Sequence, residues 1–403
     1  MEPICNEYTR GEILSVLTRK PKQKPDNINF YHGRIKHYLP DSAPHVKWSC
    51  TQLPRKKKMP TWLTATEFTD QKDILQEKAH LLAKLMKNSR KTVLYTGAGI
   101  STSAGLKQSS LGQLGQGYSG RGYKGRGYQA NAKPNYSNMA LTALVKAGFV
   151  HDWVQTNYDG LPQKSGCPQE FINEIRGSWY DPSNPVLGKH GKSRSDLNDR
   201  MCKAAETADL TLALGTSLSG TQTDYVAENV AKRSLIGECL GLVIVGLQQT
   251  PMDGKATLRI FSELDRFLQI LCKILSVEVT TETPSMKITH TATVPYDTHG
   301  KLSSSMAVTI NLNQGQKIRL SSGHNWHAAA QNNKLCIGQQ GNKKLQVESG
   351  IGRVVRYCST QQAWELEIDG VRMLLGFWWL GAARAGGPKL IPVFNVNGTG
   401  NCH

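Results

Sequence analysis

Short apolar runs alternate with stretches of helical periodicity through the middle of the chain. The run Val93–Tyr95 has the length and the β-branched or aromatic residues of a buried strand. Comparable runs follow at Leu210–Leu214 and Leu242–Val245, and amphipathic stretches such as Asp70–Asn88 separate them. This alternation predicts an α/β domain over residues 71–276, with a doubly wound, Rossmann-type parallel sheet.

The pattern changes after Ser276 to short runs of period two, separated by turn residues. Asp369-Gly370 between two such runs is a strong hairpin signal. No helical stretch is evident, so residues 277–403 are predicted to form an all-β domain, a sandwich or a barrel. Its aromatic run, Phe377 to Trp379, is predicted to belong to the core or a packing face.

Residues 1–70 lack periodicity and are rich in proline, lysine and tyrosine, which predicts an extended basic arm. Its basic run, Arg55–Lys58, is interpreted as a solvated linker, a nuclear-import signal or a binding patch. A second unusual segment, Lys107–Lys133, contains GQGYSGRGYKGRGY. Tyrosine and arginine among glycines can stack on bases and contact phosphates, but a flexible insertion has the same composition.

The chain has 403 residues and a net charge of +18, which favours acidic partners such as nucleic acid, an acidic protein polymer or an anionic surface. No apolar run approaches the roughly 20 residues that span a bilayer, and the first residues lack the apolar core of a signal peptide. We therefore predict an intracellular protein without a membrane partner. Its nine cysteines include no C-x-x-C pair, so neither a disulfide framework nor a cysteine zinc site is indicated.

The candidate chemistry lies where apolar runs end. Gly97-Ala98-Gly99 follows the first run, and such a turn brings backbone N–H groups close to a ligand, while Ser101 can cap the next helix. This arrangement favours a pyrophosphate, although a dinucleotide fingerprint would have a third glycine where Thr102 stands, and a simple turn remains the alternative.

Later runs also end in small or polar residues, at the edge where open α/β sheets bind ligands. These residues are Asn157 and Asp159, then Gly215, Thr216 and Ser217, then Gly246. Asn157 and Asp159 are also typical of a turn without a ligand.

Five segments in order, YTGAGISTSAGL, KPNYSNMALTALVKAGFV, VQTNYDGL, ADLTLALGTSL and LVIVGLQQTPMDGKATLRI, resemble the sirtuins, NAD-dependent protein deacylases, and most of all their class IV members. The resemblance implies a Rossmann-type domain that binds NAD. It assigns the cofactor contacts to Gly97, Ala98, Gly99, Ser101, Asn157, Asp159, Gly215, Thr216 and Ser217. Gly246 stands at a further cofactor-binding position, where the family has an asparagine.

The chain departs from the family pattern at several functional positions. Sirtuins use a histidine before a glycine as the base, whereas here Arg176 precedes Gly177, and a guanidinium has no lone pair to accept a proton. The four zinc cysteines, the acidic-aromatic-arginine cofactor clamp and the Phe-Gly-Glu substrate segment are also missing. The segment that replaces the zinc module contains His190 but no cysteine.

Two interpretations follow. The favoured one is a sirtuin-derived pseudoenzyme without catalytic residues or zinc, in which NAD binding is possible, weak or lost. It would serve as a structural component of an acidic assembly, a microtubule-based or axonemal filament or chromatin, in the cytoskeleton or the nucleus. The alternative is an active NAD-dependent deacylase, ADP-ribosyltransferase or NAD hydrolase.

Overall fold

The computed structural model describes residues 9–18, 31–35, 39, 42–50, 63–106, 132–186, 193–282, 288–321, 335–340, 343–347 and 349–396. The run Arg55–Lys58, the Gly/Tyr/Arg repeat and His190 lie outside these ranges. The chain forms two compact units, residues 1–123, 134–155 and 201–281 in the first and residues 124–133, 156–200 and 282–403 in the second. No described helix is both long and apolar enough to cross a bilayer.

The first unit contains a parallel sheet with helices. Strands are numbered in chain order through both units, and those of the first are β1 His45–Trp48, β2 Glu67–Thr69, β3 Thr92–Thr96, β4 Asp152–Gln155, β6 Leu210–Leu214, β7 Gly241–Val245 and β8 Leu258–Ile260. Its helices are Arg10–Thr18, Lys72–Asn88, Tyr136–Lys146, the C-terminal part of Ser195–Thr207, Tyr225–Ser234 and Leu264–Ile274. Its 3-10 helices are Ala98–Ser101, Gln222–Asp224 and Asp253–Lys255.

The parallel strands of the first unit lie in the order β4-β3-β6-β7-β8, so the connection reverses direction between β3 and β6. β3, β6 and β7 are buried at every position, as expected for strands covered on both faces. The predicted doubly wound, Rossmann-type sheet is confirmed. Its ligand crevice is expected at the reversal, beyond the carboxyl ends of the strands.

Described parts of the predicted basic arm belong to the first unit. The N–H groups of Arg34 and Ile35 donate to the carbonyls of Ala256 and Thr257, 2.9 and 3.1 Å away, just before β8. β1 and β2 form an antiparallel pair, and the N–H of Phe68 donates to Leu247 O at 2.8 Å. These segments are hydrogen-bonded to residues just before β8 and just after β7, while the division at residue 70 stays a prediction.

The second unit is mainly antiparallel. Its strands are β5 Ile172–Glu174, β9 Thr291–Val294, β10 Val308–Asn311, β11 Lys317–Leu320, β12 Leu335–Gln340, β13 Lys343–Val347, β14 Ile351–Cys358, β15 Ala363–Ile368, β16 Val371–Gly376 and β17 Val393–Asn395. It also has the helices Leu161–Lys164 and Trp378–Arg384, the 3-10 helix Gln169–Phe171, and the N-terminal part of Ser195–Thr207.

The strands of residues 282–396 confirm the predicted β character. β16-β15-β14-β11-β17 form one antiparallel sheet, while β9 with β10 and β12 with β13 form pairs. The expectation that this region lacks a helix was wrong, because a helix, Trp378–Arg384, follows β16. The aromatic run is nevertheless buried in the core, as predicted. Since the second unit also includes residues 156–200, independent folding of residues 277–403 stays a prediction.

Candidate functional site

Two loops meet where the sheet order reverses in the first unit. One follows β3 and contains Gly97, Ala98 and Gly99, and the other follows β6 and begins with Gly215. The N–H of Gly99 donates to Gly215 O at 2.8 Å, and that of Gly97 donates to Leu214 O at 3.2 Å. The tertiary structure thus brings together two glycine motifs that are far apart in sequence.

The close approach of these loops explains three glycines. A Cβ on Gly99 would lie 2.6 Å from Gly215 Cα, and a Cβ on Gly97 would lie 2.9 Å from Gly215 O. Gly215 has a φ of +58° and packs equally closely against Gly99. Any side chain here would force the two backbones apart, so packing alone requires these three glycines, with or without a ligand.

The neighbouring positions form the surface of the crevice. Ala98, Thr216 and Ser217 are half-buried, whereas Ser101 is buried. The N–H of Ala98 donates to no residue within the described ranges, which leaves it available to an acceptor such as a phosphate oxygen. Gly246, which follows β7, is different from the other glycines because a Cβ there would meet no atom within 4 Å. The N–H of Ala98 and the hydroxyl groups of Thr216 and Ser217 are groups that can bind a phosphate or a ribose, as a dinucleotide requires.

Asn157, Asp159 and Arg176 lie in the second unit. Asn157 and Asp159 are buried, and Asp159 Oδ1 accepts a hydrogen bond of 3.0 Å from the N–H of Leu161. Arg176 is half-buried and precedes Gly177, whose φ is +92° and whose Cβ would overlap the carbonyl of Pro185. The glycine of the Arg-Gly pair is thus required by the backbone.

The sequence analysis missed a group of buried ionisable residues beside this loop. Glu174 is 3% exposed, and burial, reinforced by Asp181, raises its pKa to about 8. Lys164 is equally buried and donates to Tyr180 Oη at 2.8 Å, and burial lowers its pKa to about 8. Both residues follow VQTNYDGL closely in the chain, but nothing in the sequence shows their burial.

Glu174 gives a prediction for pH dependence. Its pKa is higher in the folded protein, about 8, than the ordinary value of 4.5, so the folded state retains a proton that the unfolded chain releases. The free energy of unfolding should fall as pH rises through this interval. We expect Glu174→Gln to have the same free energy of unfolding as the parent at pH ~5. At pH ~8 its free energy of unfolding should be a few kcal/mol higher than that of the parent, as measured by urea denaturation.

Glu170→Gln is the matched control because Glu170 is an exposed carboxylate in the same unit. It should change the free energy of unfolding by no more than about 0.5 kcal/mol at either pH. If the free energy of unfolding depends on pH in the same way in Glu174→Gln and in the parent, Glu174 is already ionised in the folded state.

Within the described residues, no group of three or more histidine, cysteine, aspartate or glutamate side chains could hold a metal ion. The predicted absence of zinc from the whole protein stays a prediction.

Comparison with known proteins identifies the family. No family model matches the chain. The NAD-dependent protein deacetylase Sirt6 of Drosophila melanogaster is 31% identical over 265 residues, which cover 54% of this chain and 81% of that protein. The chain belongs to the sirtuin family. The NAD-dependent protein deacetylase SRT1 of Arabidopsis thaliana is 30% identical over 253 residues, 53% of this chain, and the match spans about half, 52%, of that relative.

Solved sirtuin structures give more distant matches. A Sir2 bound to a propionylated peptide has a TM-score of 0.42 and 19% identity, and covers 50% of this chain and 100% of its own. A Sir2 bound to an acetylated peptide has a TM-score of 0.41 and 20% identity, with 49% and 98% covered. The predicted resemblance to sirtuins is confirmed by the sequence relatives.

Proposed function

We propose that this sirtuin-family chain binds NAD through the crevice at the sheet reversal but does not catalyse deacylation, and acts as a binding component of an acidic assembly. The observation that carries this proposal is Arg176, which occupies the position expected for the catalytic histidine. A guanidinium stays protonated near neutral pH and cannot act as a general base. Gly177, which follows Arg176, has a φ of +92°, a conformation that glycine adopts without strain.

NAD would supply an electrophilic ribose carbon bonded to nicotinamide. The N–H of Ala98 and the half-buried hydroxyl residues Thr216 and Ser217 would hold its phosphates and ribose. The net charge of +18 supports an acidic partner, since such a charge attracts polyanions. A filament and a nucleoprotein are both compatible with this charge.

The alternative is an active NAD-dependent deacylase, ADP-ribosyltransferase or NAD hydrolase. Asn157 and Asp159 favour it because both are present and buried in a defined loop. The fly and Arabidopsis relatives are named as NAD-dependent protein deacetylases, which supports the same alternative. An assay of NAD consumption distinguishes the two functions.

Gly246→Val tests NAD binding without disturbing the fold. A side chain at Gly246 would enter open space, so we expect the variant to melt like the parent. Gly246 follows Val245, whose carbonyl accepts the N–H of Gly215 at 3.0 Å, so it lies next to the loop that begins with Gly215. Calorimetric titration should therefore show NAD binding weakened about tenfold or more, equivalent to ~1.4 kcal/mol. Gly99→Val would be a poor test because its side chain would clash with Gly215.

Gly11→Val is the control. Gly11 lies in the helix Arg10–Thr18, and the nearest atom to its added Cβ would be Thr9 Oγ1 at 3.9 Å. It should bind NAD like the parent. A parent chain that shows no NAD binding would refute the cofactor part of the proposal, and unchanged affinity in Gly246→Val would place the ligand elsewhere.

A further inference from the structure

Two aromatic rings, those of Tyr180 and Trp378, pack against the loop that contains Asn157 and Asp159. Gly160 follows Asp159 and has a φ of +66°. A Cβ at Gly160 would lie 2.7 Å from Tyr180 Cδ2 and 3.0 Å from Trp378 Cη2. The Tyr180 and Trp378 rings contact each other with centroids 5.2 Å apart. All five residues belong to the second unit.

The C-terminal region is also hydrogen-bonded to the backbone carbonyl of Tyr180. Trp379 Nε1 and the N–H of Gly376 each donate to Tyr180 O at 3.0 Å. The preceding residue, Trp179, returns to the same loop, because its N–H donates to Tyr158 O at 3.0 Å and its ring lies 5.1 Å from that of Tyr158. The loop is therefore held both by residues 179–180 and by the start of the helix Trp378–Arg384.

Trp378 is buried at this position although its indole N–H lacks a hydrogen-bond acceptor among the described residues. A buried donor without an acceptor is destabilising, and phenylalanine would avoid it. The size and shape of the indole, which reaches Gly160 through Cη2, are the features that a smaller ring would lack.

We infer that Trp378 and Tyr180, here called the aromatic clamp, position the loop 157–160, with Trp378 acting as a positioning residue for NAD binding. The link to NAD rests on the proposed function, whereas the restraint of the loop does not. A loop that is already ordered does not lose conformational entropy when a ligand binds, so the aromatic clamp increases affinity without touching the ligand. The C-terminal region thereby acts on a sirtuin motif loop more than 200 residues earlier in the chain.

The test uses the full chain with Trp378→Ala, followed by amide hydrogen exchange and NAD titration. We expect exchange at residues 158–161 to rise about tenfold or more and NAD affinity to fall by a similar factor. In Trp378→Phe, both the exchange rate at residues 158–161 and the NAD affinity should lie between those of the parent and of Trp378→Ala. Trp379→Phe is a milder change that removes the hydrogen bond to Tyr180 O together with part of the ring, and it should raise exchange at residues 158–161 severalfold. This variant keeps the test decisive if Trp378→Ala does not fold, because unchanged exchange in it would count against the restraint of the loop.

Trp364→Ala is the matched control. Trp364 is as deeply buried in the same core, but it packs against Tyr357 and donates to His290 Nδ1 at 3.0 Å. Both alanine variants should lower the Tm, by ~6–20 °C, but only Trp378→Ala should raise exchange selectively at the loop.

Unchanged exchange at residues 158–161 in a folded Trp378→Ala chain would overturn the aromatic clamp. An equal rise in Trp364→Ala would also overturn it, since loss of general stability would then explain the effect. If the parent does not bind NAD, the proposed cofactor function fails, and the exchange measurements still decide whether the aromatic clamp restrains the loop.

Discussion

No NAD-dependent release of acyl groups from acylated lysine peptides is expected from this chain. Removal of a general base typically lowers a rate by about 10²–10⁴-fold, and Arg176 cannot replace the histidine that the family uses. The missing cofactor clamp and substrate segment should lower the rate further. Product formation followed by mass spectrometry, with an active sirtuin assayed in parallel, is the measurement.

Arg176→His alone should not restore deacylation, because the base would return without the segments that hold cofactor and substrate. Restored activity in this variant would show that the remaining site is complete and that only the base was lost. Robust nicotinamide release by the parent chain, abolished by Asn157→Ala or Asp159→Ala, would contradict the proposed pseudoenzyme and establish the NAD-consuming alternative.

Lys78→Met is expected to destabilise the first unit by about 3–5 kcal/mol, because it leaves a buried carboxylate without its counter-charge. The Lys78 side chain is fully buried, and its Nζ donates to both Asp70 oxygens, at 2.7 and 2.8 Å, and to Tyr31 O at 2.8 Å. Asp70 also accepts the N–H of Phe261 at 2.8 Å. This ion pair therefore connects the helix Lys72–Asn88 to the end of β8 and to the N-terminal segment.

The double variant Lys78→Met, Asp70→Asn should recover much of this stability, since an amide oxygen can still accept the N–H of Phe261 without a buried charge. Lys87→Met is the control, because Lys87 is exposed on the same helix, and it should change stability by no more than about 0.5 kcal/mol. Urea denaturation gives the comparison. A loss below about 1 kcal/mol in Lys78→Met would mean that Asp70 takes up a proton or reaches water.

The candidate site combines residues whose roles the sequence revealed with others that it did not. Gly97, Gly99 and Gly215 were found from their position after apolar runs, but their mutual contact was not visible. Gly246 was also found from its position after an apolar run, and the structure adds that a side chain there would face open space. Glu174 and Trp378 were missed as site residues because burial and ring contacts depend on segments distant in the chain.

The sequence by itself determined the doubly wound α/β region, the β character after Ser276, the glycine turn at Gly97–Gly99 and the sirtuin family. Periodicity, turn residues and motif order are local properties, so each can be read from a short stretch. Only the tertiary structure decided that Gly215 packs on Gly99, that Glu174 is desolvated, and that the helix Trp378–Arg384 approaches Gly160. These features arise from contacts between residues far apart in sequence, and a single sequence does not specify which distant segments exclude water together.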